Sequence, residues 1–303
     1  MFTSPRTKIS STSRYTINKE RFITEYNADS IVRFTREDFI NRGGYIPDGE
    51  LITLVNVSVG LGKPLLLEGP PGTGKTALAK ALSAISGREL IRIQCFEGIS
   101  AEQVIGEFNY TKQLLALEKA KGAEIKDLFT QEFFIPRALM QALTAEKPVV
   151  LLIDEIDRSD EEFEAFLLEA LGEQQITVPE LGTLHSKTVP FIVMTSNNTR
   201  PLSPALRRRS IYIALEYPTS EREKEILRLH LPELQEDISD EVLSLVRKMR
   251  TNDRISDPPS VAETIEFAKA LLFMGENILD DKRIKELYGV LLKSKGDLFE
   301  AKG

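Results

Sequence analysis

Apolar residues follow two rhythms along this chain. Between residues 64 and 214, short unbroken apolar runs alternate with stretches of helical spacing. Pro64-Leu65-Leu66-Leu67 reads as a buried strand and Val149–Ile153 as an unbroken apolar one, and Leu90–Gln94, Phe191–Thr195 and Ser210–Ala214 read as further strands. Between them, Leu78, Leu82 and Ile85 recur at helical spacing and Gly87 supplies a stop; a helix is expected across Arg137–Ala145; and Phe163, Phe166, Leu167, Ala170 and Leu171 share one helical face. A short helix carrying Leu51, Leu54 and Val55 follows the turn at Gly43-Gly44. Strands alternating with helices predict an α/β fold whose parallel sheet is covered on both faces. Two stretches depart from this: residues 96–128 are irregular, with strand-like character at Gly106–Tyr110, and Gln175–Pro190 resembles a hairpin around Gly182.

From about Pro218 onward the pattern is helical throughout. Val242, Leu243, Val246 and Met249 form one core-facing stripe; Val261, Ile265, Ala268 and Leu272 a second; Ile284, Leu287, Tyr288 and Leu291 a third. Ser159/Glu162, Ser220/Glu223 and Ser260/Glu263 have capping-box spacing, which predicts helix starts. The organisation expected is a polar, flexible arm over residues 1–28, an α/β core over 29–216 and a small helical domain over 217–303.

Composition narrows the partners. The formal net charge of −7 argues against general nucleic-acid binding, which relies on clustered Lys and Arg. Cys95 is the single cysteine, so no internal disulfide forms, and it reads as a buried thiol. The two histidines, His185 and His230, make no metal cluster and are expected to be ordinary surface or satisfied residues. No apolar run is long enough to span a membrane and the N-terminus lacks a secretory stretch, so a soluble, cytoplasmic protein is expected.

Four clusters carry chemistry. Residues 69–76, Gly-Pro-Pro-Gly-Thr-Gly-Lys-Thr, fit the phosphate-binding loop. Its backbone N–H groups cradle phosphate, Gly72 and Gly74 permit the close approach, Lys75 brings a positive charge to the outer phosphates, and Thr76 offers a hydroxyl to Mg²⁺. The apolar strand 149–153 ends in Asp154-Glu155, two carboxylates that are costly at such a place unless used. Asp154 suits Mg²⁺ and Glu155 suits the water that attacks the γ-phosphate; Asp157 is ambiguous. Asn197, preferred over Asn198, closes another strand where an amide can reach both γ-phosphate and water. Finally, Leu202–Arg209 ends in three consecutive arginines, read either as a basic helix end or as an arginine finger reaching a neighbouring subunit.

GPPGTGKT, LLIDEID, TSNN and LSPALRRR, in this order, resemble the AAA+ ATPases, and the wording around them is similar to the MoxR branch, CoxD-like group. The resemblance spans roughly residues 40–275. It implies a P-loop NTPase core of three layers followed by an all-helical lid. It assigns Gly69, Pro70, Pro71, Gly72, Thr73, Gly74, Lys75, Thr76 and Ala77 to ATP, Thr76 and Asp154 to Mg²⁺, Glu155 to the lytic water, Asn197 to the first sensor, and Arg208 or Arg209 to the finger. It also implies a homo-oligomeric ring, a hexamer in this branch, with an insert at about 96–128 and a hairpin at about 175–190 facing the ring pore or a client, chaperone-like work such as metalloenzyme maturation, and a von Willebrand A domain partner. A nucleic-acid motor or loader uses the same core and is the alternative. One departure stands out: Pro258-Pro259-Ser260-Val261-Ala262 holds no arginine where many relatives place a second sensor, and Arg254 precedes the prolines.

Overall fold

The computed structural model describes residues 33–119, 128–275 and 281–302. The arm expected over 1–28, the first residues of the core (29–32) and part of the insert (120–127) lie outside them.

Five parallel strands form the central sheet: β1 (Leu65–Glu68), β2 (Leu90–Gln94), β5 (Val150–Asp154), β8 (Phe191–Ser196) and β9 (Ile211–Ala214), in the order β2-β5-β8-β1-β9. Two small antiparallel hairpins, β3 (Gly106–Phe108) with β4 (Phe134–Pro136) and β6 (Gln175–Val178) with β7 (Gly182–His185), lie outside it. Among the described residues, the irregular stretch therefore holds strand β3 and two helices, Ala101–Ile105 and Tyr110–Lys119.

Leu66, Leu151, Ile153, Ile192 and Met194 point to one side of the sheet, where they meet helices Ala138–Thr144 and Glu161–Glu173. Leu65, Leu67, Val150, Leu152 and Val193 point to the other, against helices Gly49–Leu61 and Lys75–Ser86. This gives the P-loop three-layer core. In register, Leu66 of β1 lies beside Met194 of β8 and Tyr212 of β9. Parallel strands bring their carboxyl ends to one edge, so Glu68, Gln94, Asp154 and Ser196 arrive together there.

Helices Ser220–His230, Glu236–Arg250, Val261–Met274 and Asp281–Leu291 build a separate core around Val242, Val246, Phe267, Leu271, Tyr288 and Leu291. The capping box at Ser260/Glu263 is present. The other two differ from expectation. Asp160, not Ser159, caps the helix at Glu161, accepting from Phe163 N at 2.8 Å, while Ser159 Oγ donates to the Ile156 carbonyl. Thr219, not Ser220, caps the helix at Ser220, because Glu223 is drawn inside. The second stripe is also rotated: Thr264, Phe267, Ala268 and Leu271 face the helical core, leaving Ile265 and Leu272 half-buried.

Glu223 is 1% exposed and forms a two-point ion pair with Arg250 at 2.8 and 2.9 Å. Arg250 also donates to the Pro259 carbonyl at 2.7 Å and lies over the Tyr217 ring. Removing one partner of such a buried pair leaves an uncompensated charge. Arg250→Ala is expected to destabilise the protein by about 3–5 kcal/mol, read as a lower urea midpoint; an unchanged midpoint would show that the pair does not hold the helical region together.

Candidate functional site

The loop 69–74 joins β1 to helix Lys75–Ser86, and its glycines are tightly enclosed. A Cβ on Gly69 would collide with the Leu215 carbonyl. Gly72, at φ +74°, would collide with Ser260, the residue that opens helix Val261–Met274. Gly74, in the left-handed region at the helix N-cap, supplies no side-chain cap, so the first-turn N–H groups are left for a ligand. Lys75 Nζ donates to the carbonyls of Gly69 and Pro70 at 2.6 and 2.7 Å. Burial pulls its ammonium below the usual lysine range, against the opposing influence of Asp157, Asp154 and Glu155. Thr76 Oγ1 stands 3.1 Å from Asp154 Oδ1. A hydroxyl and a carboxylate this close are the hard oxygen donors Mg²⁺ takes when phosphates and water complete its shell, so the residues fit that ion.

Asp154 is 3% exposed and receives two further bonds, from Thr195 Oγ1 at 2.5 Å and from Arg92 at 2.6 Å. Thr195 also accepts from Glu155 N at 2.9 Å, so one hydroxyl braces both carboxylate residues. Glu155 sits at φ 55°, ψ 48°, a left-handed conformation that costs about 1–3 kcal/mol in a residue with a side chain. This turn swings its carboxylate to the sheet edge, where Gln94 Nε2 donates to it at 3.0 Å and Arg158 pairs with it at 3.0 Å.

Asn197 lines the same cavity; Asn198 is exposed at positive φ. Asp157, 3% exposed, holds the turn that carries Asn197. It accepts from Asn197 N (3.2 Å), Thr199 N (2.9 Å) and Thr199 Oγ1 (2.7 Å). Burial raises its pKa, but these bonds outweigh that and keep it below the usual aspartate range. The arginines do not enter the cavity of their own chain. Arg208 is exposed and has no partner among the described residues, and Arg209 donates to the Leu168 carbonyl at 3.1 Å.

The cavity itself measures about 770 Å³. Its floor is the loop and the carboxylates; Tyr45 and Ile46 form one wall, and Ile226, Leu229, Val261 and Ile265 of the helical region form another. Tyr45 packs against Gly74 and its phenol is pushed up to about 12 by burial. Arg222 of the helical region reaches across to the Ile46 carbonyl at 2.8 Å and to Asp48 at 2.9 Å. Arg254 points elsewhere, toward Glu300 at 3.2 Å. Cys95 is buried as expected, its thiol pushed up to about 12 by burial and by Asp154, Asp157 and Glu155. His230 is exposed, within the expectation of a surface or satisfied residue, and it also lines the cavity because its helix forms one wall.

Sequence reasoning missed Thr195, Arg92, Gln94 and Arg222. Thr195 had a signal, lying inside the Thr-Ser-Asn-Asn motif at a strand end. The other three had none, since each acts through an element distant in sequence.

With this geometry in hand, comparison with known proteins is direct. Residues 64–210 match the family model described as AAA domain, dynein-related subfamily. The fold is the P-loop AAA+ fold. An uncharacterized protein of Staphylococcus haemolyticus is 26% identical over 226 residues, covering 72% of this chain and 79% of its own length. The uncharacterized protein YeaC of Bacillus subtilis is 30% identical over 173 residues, and that match spans 54% of this chain and 46% of YeaC. Among solved structures, a mutant of RuvB from Thermotoga maritima shares the fold with a TM-score of 0.50 at 18% identity, covering 82% of this chain and 71% of that one. No helix among the described residues is long and apolar enough to cross a membrane.

Proposed function

We propose that the protein is a Mg²⁺-dependent ATPase of the MoxR type that works as a ring, a hexamer by preference, and remodels a partner protein. One observation carries the reading: residues 71–76 of the loop, Asp154, Glu155 and Asn197 line a single cavity walled by the helical region. Lys75 and the loop amides would hold the β- and γ-phosphates. Thr76 and Asp154 would hold Mg²⁺, which supplies neutralisation of phosphate charge. Glu155 would take the proton from the attacking water, and Asn197 would orient that water and the γ-phosphate. Thr195 would keep both carboxylates at the sheet edge, and Asp157 would keep Asn197 in place. Arg208 and Arg209, exposed and outside their own cavity, suit fingers that complete the neighbouring subunit's site.

The lid would be residues 217–303, linked to the core at the base end of the cavity by Arg222 in place of an arginine at 258–262. Client contact is assigned to the insert and the hairpin; the exposed Tyr110, Leu114 and Leu115 of the insert, with Ile135 of the strand paired to it, supply apolar surface for it. A chaperone-like role with a von Willebrand A domain partner, in the cytoplasm, follows from the MoxR resemblance.

Calorimetric titration with ATP and Mg²⁺ tests the core of this reading. Binding heat is expected for the wild type, and Lys75→Ala should weaken binding by about 10–100-fold, the loss of one or two charge-assisted bonds. Absence of heat with folded wild-type protein would end the proposal.

A further inference from the structure

Glu68 closes β1 and immediately precedes the phosphate loop, yet it does not line the cavity. Its side chain is 10% exposed and both oxygens are engaged. Oε2 accepts from Arg207 at 2.8 Å, and Oε1 accepts from the Tyr212 hydroxyl at 3.0 Å. The Arg207 guanidinium also lies over the Tyr212 ring, 5.7 Å from its centre. Tyr212 belongs to β9, the strand hydrogen-bonded to β1. Arg207 is thus the first of three consecutive arginines and the one tied to the root of the phosphate loop, while Arg209 makes a single bond to the Leu168 carbonyl. Successive residues of a helix point about 100° apart, so turning Arg207 onto β1 directs Arg208 and Arg209 to other faces of helix Pro204–Arg209.

We infer that Arg207 is a positioning residue that ties the arginine helix of one subunit to the root of its own phosphate loop. Through Glu68 it sets how Arg208 and Arg209 are presented to the neighbouring subunit. The ion pair and the ring stacking hold the guanidinium at two angles, which a lone charge could not do. Any movement of the loop root would then pass to the arginines next door. This role rests on the ring reading proposed above.

Subunit mixing separates the two ideas. Donor subunits carry Glu155→Gln, with silent sites and intact arginines. Acceptor subunits carry Arg208→Ala and Arg209→Ala, with intact sites and no fingers. The mixture is expected to regain phosphate release that neither population shows alone. Adding Arg207→Gln to the donors should lower the regained rate by about 10–100-fold, the usual cost of misplacing a reacting group by an ångström. Adding it to the acceptors should leave the regained rate near that of the parental mixture, an asymmetry that simple destabilisation does not produce. Should Arg207→Gln donors fail to fold, Arg207→Lys, which keeps the charge on Glu68 but loses the planar stacking, replaces them with the same expectation. If donors with altered Arg207 rescue as well as the parental donors, or if the loss falls on the acceptor side, the positioning role is wrong while the ring reading stands. If the parental mixture itself regains nothing, the fingers do not act between subunits and both ideas fall.

Discussion

Glu155→Gln is expected to keep ATP bound and to stop turnover. The substitution preserves the size of the side chain but removes the carboxylate that would accept the water's proton, a contribution of about 10²–10⁴ in rate. The loop, Lys75, Thr76 and Asp154 are untouched, so ATP affinity should stay near the wild-type value. The left-handed backbone at Glu155, braced by the hydroxyl of Thr195, aims this side chain at the sheet edge and asks nothing of its charge, so the fold should hold as well. Steady-state phosphate release and calorimetric ATP titration check the two halves. Turnover close to wild type would remove Glu155 from the chemistry. The same variant, loaded with ATP, is the form in which a client should stay bound long enough to be captured.

Arg208→Ala with Arg209→Ala should cut turnover by roughly 10³–10⁵-fold, the worth of an arginine finger on transferring phosphate. The melting temperature should barely move. Arg208 is exposed without a partner among the described residues, and Arg209 gives up a single bond to the Leu168 carbonyl. Losing Arg207 in addition should be different in kind, because it strands the buried carboxylate of Glu68. Undiminished phosphate release by the double variant would return the two arginines to the plainer role of a basic helix end.

The sheet and most of its helices were legible in the residues. A strand buried on both faces has to be apolar at every position, so the inner strands β1, β5 and β8 were placed to within one residue; the edge strands β2 and β9, which expose Arg92, Gln94 and Tyr212, were placed to the residue and to within one, respectively. Where local chemistry repeats, it misled. Ser159 and Ser220 satisfy the spacing of a capping box, but Asp160 and Thr219 cap the helices, since a neighbouring residue offered an equally good oxygen with better geometry. The stripe through Val261 and Ile265 serves two surfaces: both side chains wall the cavity, Ile265 and Leu272 also pack against the helical core, and Ala268 lies in that core with Phe267 and Leu271. Apolarity says that a residue avoids water, not which surface covers it.

The chain alone determined the phosphate loop, the carboxylate pair, Asn197 and their order, because each is a local arrangement read within a few residues of a strand end. Tertiary structure decided the rest. It joined Thr195 to Asp154 across 41 positions, Arg222 to Ile46 across 176, and Arg207 to Glu68 across 139. Contacts between residues so far apart are fixed by strand order and by how helices settle on the sheet, and no spacing along the sequence records either.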